Sequence, residues 1–173
     1  MAISLYDVSV TSFLQVLGAV SGFLEKGRAH LVEAGKDPEA IVETRLHDDM
    51  LPFRFQVISV AHHSQGALEG AKSGVFHPPG PMGDLDYAGL QKLVADAQAA
   101  LKALKPDEVN ALEGRDVVFK LGERGLPFTA EGFLMSFSTP NLHFHATTAY
   151  DILRQAGVPL GKRDYMGQMR LKM

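Results

Sequence analysis

Between Pro140 and Lys162 the chain reads P-N-L-H-F-H-A-T-T-A-Y-D-I-L-R-Q-A-G-V-P-L-G-K, and this stretch sets the terms for the rest. Pro140 suits the first turn of a helix, and Thr139 before it is a fair N-cap. Leu142, His145, Ala149, Ile152 and Ala156 recur at helical spacing, with Leu153 beside them. Gly157 accepts a left-handed cap and Pro159 cannot continue a helix, so the segment stops there. The result is a helix of about four turns at 3.6 residues each. Asn141, His145, Thr148 and Ile152 share one of its faces, and any function on this helix belongs to that face.

Three more long helices are expected upstream. Ser4 and Asp7 form a capping-box-like start, and Val10, Phe13, Leu14, Leu17, Val20 and Leu24 then recur at three and four, to about Glu33. Gly18, Gly22 and Gly27 weaken this helix by roughly 1 kcal/mol each relative to Ala, so it needs a close helix neighbour. Asp37-Pro38 opens a short helix to about Arg45. Phe53 starts the second long helix, whose core stripe of Phe53, Val57, Val60, Ala67 and Ala71 includes His63, with Phe55, Ile58 and His62 on an adjoining face. Gly74 to Gly83, with three prolines, reads as a surface loop. Asp84 or Asp86 caps the third long helix, to about Leu104, and a short turn follows at Asp107–Ala111. Arg115–Leu121 and Leu126–Thr129 flank Gly122-Glu123-Arg124-Gly125 as a β-hairpin with a four-residue loop. Thr129 caps a short helical piece, Glu131–Phe137, leading into the Pro140 helix. The expected fold class is all-α, a four-helix bundle with a small β-hairpin before the last helix, in a single domain over residues 1–173.

Composition narrows function mainly by exclusion. The chain has 173 residues, enough for a substantial core, and a net charge of −3 gives no basic footprint for nucleic acid. It has no cysteine, which rules out disulfides, thiolate metal sites and a cysteine nucleophile. The opening M-A-I-S-L-Y-D lacks the basic start and apolar core of a signal peptide, and no apolar run approaches a membrane span. A cytoplasmic protein without membrane partners is expected. No serine sits in a G-x-S-x-G context, and phosphate loops are absent.

Five stretches carry a resemblance: L-Y-D-V-S-V, D-D-M-L-P-F-R-F-Q-V, A-H-H-S-Q-G-A, K-L-G-E-R-G-L-P-F-T and H-A-T-T-A-Y-D-I-L-R-Q-A-G-V-P-L-G-K-R-D-Y. Together they span nearly the whole chain. They resemble the DinB-like (YfiT-type) superfamily of four-helix bundles, which includes metal-dependent enzymes. Within it they resemble an uncharacterised bacterial family, a domain of unknown function. Members with metal present one histidine from the second helix and two spaced H-x-x-x-H on the last. Counting back from Leu153-Arg154-x-x-Gly157, His145 falls at the second of that pair and Asn141 at the first. His63 matches the second-helix position, with His62 beside it.

The resemblance thus implies a divalent-metal site, zinc or nickel, made by His63, His145 and Asn141, in a thiol transferase or hydrolase acting on a small electrophile. Residues four apart on a helix share a face, and a third ligand from a facing helix leaves one position open, as in catalytic zinc. The departure is Asn141, a weak oxygen donor where an imidazole belongs. His143 joins only if the helix is irregular, since residues two apart face differently. The competing reading has His63 and His145 packed and hydrogen-bonded in a non-catalytic bundle that binds a small apolar ligand between its helices, or a protein. Either reading accommodates a homodimer, with the glycine-spaced first helix as candidate interface. Tyr150 is expected to stitch helices together, and Arg154 to complement the last turn's dipole.

Overall fold

The computed structural model describes residues 3–81 and 83–172. Met1 and Ala2 of the opening segment, Met82 of the proline-rich loop and Met173 lie outside the described residues. Helix α1, Asp7–Glu33, starts on the expected box: Asp7 N–H donates to Ser4 Oγ and Ser4 N–H to Asp7 Oδ2, both at 3.2 Å. By length and composition α1 could cross a bilayer, which corrects the expectation that no apolar run approaches that length. Its apolar face lies inside the protein instead, with Val10, Phe13, Leu17, Val20 and Leu24 fully buried.

The helix expected from Asp37-Pro38 to Arg45 is a 3₁₀ turn, Pro38–Ile41, started by Glu39 N–H donating to Asp37 Oδ1 at 3.0 Å. It stops early because the carbonyls of Val42 and Thr44 accept from Arg54 and Phe53 at the start of the next helix. That helix, α2, covers residues 53–73: α-helical at Phe53–Ala61, π-helical at His62–Gly66 and α-helical again at Ala67–Ser73. Gly74 ends it at φ +80. The next segment departs from a plain loop, since Val75–Phe76 forms strand β1, parallel to β2. Two hydrophobic residues before the prolines suffice to extend a sheet and bury Phe76.

Helix α3, Tyr87–Lys102, is capped by Asp86, whose Oδ1 accepts from Gly89 N–H at 2.7 Å. Helix α4, Pro106–Asn110, follows. The hairpin β2 (Asp116–Leu121) and β3 (Arg124–Thr129) is tighter than expected: Leu121 pairs with Arg124, leaving a two-residue turn. Gly122 supplies the positive φ this turn needs, +59.

The last long helix, α5, runs over residues 130–155 in three parts: Ala130–Gly132, a π-helical stretch at Phe133–Ser138, and Thr139–Gln155. Its true cap is Thr129, whose side chain accepts from Gly132 N–H at 3.2 Å. Thr139 is already helical, φ −60 and ψ −48, so the expected cap there is a mid-helix residue. Pro140 removes a backbone donor inside the helix, and the π turn absorbs the irregularity. Side chains help: Thr139 Oγ1 donates to the Leu134 carbonyl at 2.8 Å and Asn141 Nδ2 to that of Phe137 at 2.7 Å. Gly157, at φ +94, ends α5 as expected. Helix α6, Lys162–Met166, covers α1 through a Lys26–Asp164 ion pair at 3.2 Å.

Helix α1 packs on α3 and α5, and α2 packs on the same two, closing a four-helix ring. The core runs continuously through it, from Phe53, Val57 and Val60 to Leu90 and Val94, and to Leu142, Ala149 and Ile152. The sheet lies against the second half of α2. The close approach expected at glycines occurs at Gly27, where an added Cβ would meet Leu153 Cδ2 and Tyr87 Oη, both at 2.9 Å. Tyr87 is buried there and donates to the Leu24 carbonyl at 2.7 Å. At Gly18 and Gly22 an added Cβ would meet no neighbouring atom within 4 Å among the described residues. Gly27→Ala is therefore expected to destabilise by roughly 1–3 kcal/mol through overpacking, outweighing its helix-propensity gain. Urea denaturation checks this, and a variant more stable than the parent contradicts it.

Candidate histidine site between α2 and α5

The π turn of α2 carries His62 and His63, and the regular part of α5 carries His145. Packing of α2 on α5 brings the His63 and His145 rings to a centroid separation of 5.8 Å, nearly parallel at 14°. Sequence spacing across two helices is thus converted into one pair. His63 is 7% exposed, and its Nδ1 is buried with no hydrogen-bond partner among the described residues. A buried polar atom left unpaired costs about 1–3 kcal/mol, so this nitrogen calls for a reason.

His145 is oriented by a residue that sequence reasoning missed. Gln56 is 2% exposed. Its Nε2 donates to the Leu51 carbonyl at 2.7 Å, while its Oε1 lies 2.8 Å from His145 Nδ1. With the amide nitrogen committed to a carbonyl, Oε1 must accept, so His145 Nδ1 carries the proton and Nε2 keeps its lone pair. The signal was present: Gln56 is seven residues before His63, two turns away on the same helix face.

Both imidazoles are held neutral. Burial takes His63 well below its ordinary value, to about 3, with repulsion from His62 and His145 adding to it. Burial likewise lowers His145, to about 4, and His62 contributes. His62 is lowered by burial too, although the His77 carbonyl, 2.8 Å from its Nε2, and the charge of Glu69 oppose the shift. A neutral imidazole is the form that coordinates metal, whereas its protonated form cannot.

Aromatic side chains enclose the group. Phe76 stacks on His62 at 4.4 Å and lies 5.5 Å from His63, and Phe137 lies 5.7 Å from His63 as well. Phe55 and Phe144 meet His145 edge-on at 5.9 and 5.3 Å. A cavity of about 330 Å³ that Phe55 shares with Leu51, Arg54 and Ile58 is lined by neither histidine.

The fit to a metal ion is uneven. His145, with Nδ1–H held by an amide oxygen and no partner for Nε2 among the described residues, has the arrangement of a ligand oriented by a supporting hydrogen bond. His63 offers an unpaired buried nitrogen. Asn141 is on the same helix, but its amide nitrogen is engaged by the Phe137 carbonyl, which leaves only its weak oxygen as a donor. Among the described residues no group of three or more His, Cys, Asp or Glu side chains is placed to hold a metal ion. His143 stays apart, with Nδ1 3.0 Å from Tyr165 Oη. Tyr150 links helices through its ring, edge-on to Phe23 at 6.1 Å and Tyr165 at 6.0 Å. His47 pairs with Asp49 on the surface.

Comparison with known proteins agrees with this architecture. Residues 5–166 match the family described as a domain of unknown function, DUF1993. The fold is similar to the crystal structure of a DinB family member protein from Shewanella denitrificans. That protein is 24% identical, with a TM-score of 0.82 over 98% of this chain and 95% of the other. The likeness shows the DinB-like helical bundle expected from the sequence. No curated protein sequence matches the chain.

Proposed function

The chain belongs to the DUF1993 family, and we propose that it binds a divalent cation, zinc or nickel, between α2 and α5 with His63 and His145 as ligands. One observation carries this reading: the buried, unpaired Nδ1 of His63 beside the near-parallel ring of a second neutral histidine. Gln56 fixes the tautomer of His145, Phe76 and Phe137 keep water from His63, and Asn141 Oδ1 is the remaining neutral donor on α5. Such a centre supplies a Lewis acid that acidifies a coordinated water or orients a thiolate, chemistry suited to hydrolysis or thiol transfer on a small electrophile. With two imidazoles and an amide, affinity is expected to fall below that of a three-histidine centre.

Elemental analysis of untagged protein after loading with zinc or nickel tests the assignment, with His63→Ala and His145→Ala alongside. Near-stoichiometric metal lost in both variants is expected, together with a higher melting temperature of the loaded parent, since a ligand of the folded state stabilises it. Metal retained in His145→Ala, or none taken up by the parent, overturns it. A second reading is favoured by the phenyl cluster beside His63, with Phe76, Phe133 and Phe137 rings within 5.0–6.3 Å of one another. In it the histidines are packing residues of a non-catalytic bundle that takes a small apolar ligand. A parent that refuses both metals selects it.

A further inference from the structure

On the side of the bundle formed by α1 and α3, the segment after α6 lies across α1 and encloses a groove of about 720 Å³, within the size range of small-molecule sites. The segment is placed there by close backbone contact. Gly167 adopts φ +60, and a Cβ on it would stand 3.1 Å from both the Gln15 carbonyl oxygen and Ala19 Cβ. Gln15 Nε2 reinforces the approach by donating to the Met166 carbonyl at 2.9 Å. Beyond this point Met169 and Leu171 remain 47% and 72% exposed and form, with Leu14, the apolar part of the lining.

The charged part has one sign. Lys102 from α3 and Arg170 from the crossing segment line the groove, and among the described residues no carboxylate does. Neither cation forms an ion pair among the described residues. The nearby carboxylate of Asp7 feels Arg170, but it is held chiefly by Ser4 and is outside the lining. In a chain of net charge −3, a depression lined by two cations that form no ion pair, and by no carboxylate, among the described residues favours a negatively charged occupant. The floor includes Gly18, where an added Cβ would meet no neighbouring atom within 4 Å among the described residues. The open face that the sequence suggested for a helix neighbour is thus the bottom of a groove.

We propose that this groove binds a small amphiphile with an anionic head group and an alkyl chain, of the long-chain carboxylate class. Lys102 and Arg170 engage the head group, and the chain lies along Leu14 and Gly18 beneath Met169 and Leu171. The site is separate from the histidine pair and independent of metal there.

Isothermal titration with decanoate below its micelle concentration tests the proposal. Saturable binding is expected in the parent, with at least a tenfold loss in a Lys102→Gln, Arg170→Gln double variant. Gly18→Leu places a side chain on the floor, where an added Cβ meets nothing within 4 Å among the described residues, so it should abolish binding while circular dichroism and melting temperature are retained. Absence of decanoate binding in the parent overturns the proposal, as does undiminished binding in both variants. Decanol binding as tightly as decanoate removes the role of the cations. Inorganic phosphate competing as well as decanoate reduces the groove to a plain anion site, and either result also overturns it.

Discussion

Replacing Phe76 by Ala is expected to destabilise the protein by about 3–5 kcal/mol, the range for truncating a buried phenylalanine. The ring is 3% exposed and occupies the junction between sheet and bundle. It lies 5.0 Å from Phe133 and 6.1 Å from Phe119, besides its stack on His62. The backbone of α2 approaches closely to receive it: a Cβ on Gly70 would stand 2.9 Å from Phe76 Cδ2 and 3.0 Å from its Cβ. Surrounding rings are rigid and cannot collapse into the space of a lost phenyl group, so the cavity persists and water gains access to His63. Urea denaturation followed by circular dichroism measures the loss. A decrease below about 1 kcal/mol, the level of an average substitution, would show that β1 is not an integral part of the core.

Acid is expected to weaken the metal-free protein through its histidine pair. In the unfolded chain both imidazoles take up protons near their ordinary value of about 6.5. In the folded chain His63 does so only at about 3 and His145 at about 4. Above the ordinary value neither state is protonated and the pair contributes no pH dependence. Below it the unfolded state binds more protons, so stability falls as pH falls, and the fall levels off once each folded pKa is passed. Between pH 7 and pH 4.5 the loss is roughly 2–4 kcal/mol, allowing for solvent around His145. His63→Phe removes the unpaired nitrogen within an aromatic surround. It should match or exceed the parent's stability at pH 7 and flatten the acid slope by about 1 kcal/mol per pH unit or more. Chelator-treated protein in urea at both pH values provides the comparison. Equal slopes in parent and variant would place the titrating groups elsewhere.

What could be read from the sequence followed periodicity. The apolar stripes of α1, α2, α3 and α5 recur over several turns, and a signal repeated that often survives errors at any one position. Gly157, Asp86 and the Ser4–Asp7 pair mark ends because their local chemistry admits few alternatives. Pro140 misled because proline at the start of a helix and proline inside one differ only in what precedes it. The preceding π turn, Phe133–Ser138, has no local signature of its own. Phe76 was hidden for the opposite reason, as two residues are too few to show a strand's alternation. The pairing of His63 with His145 was legible through resemblance, but Gln56, which fixes the tautomer, required coordinates to reveal its two partners. The commitment of Asn141 to the Phe137 carbonyl, four residues back, was equally invisible, because the same side chain could have pointed to solvent or to a ligand.

The irregular turns at His62–Gly66 and Phe133–Ser138 also bear on how the length of this chain can drift. Each residue of a regular helix advances the side-chain direction by about 100°, so a one-residue deletion in α3 would turn every downstream position away from its partners. A π turn already accommodates one residue more than the α-helical path requires. A deletion within it can be absorbed by tightening that turn, leaving the phase of the helix beyond unchanged. One-residue deletions along α2 and α5 should therefore be tolerated better within His62–Gly66 and Phe133–Ser138 than elsewhere in these helices, the reverse of the usual pattern in which helices near a site are the most fixed in length.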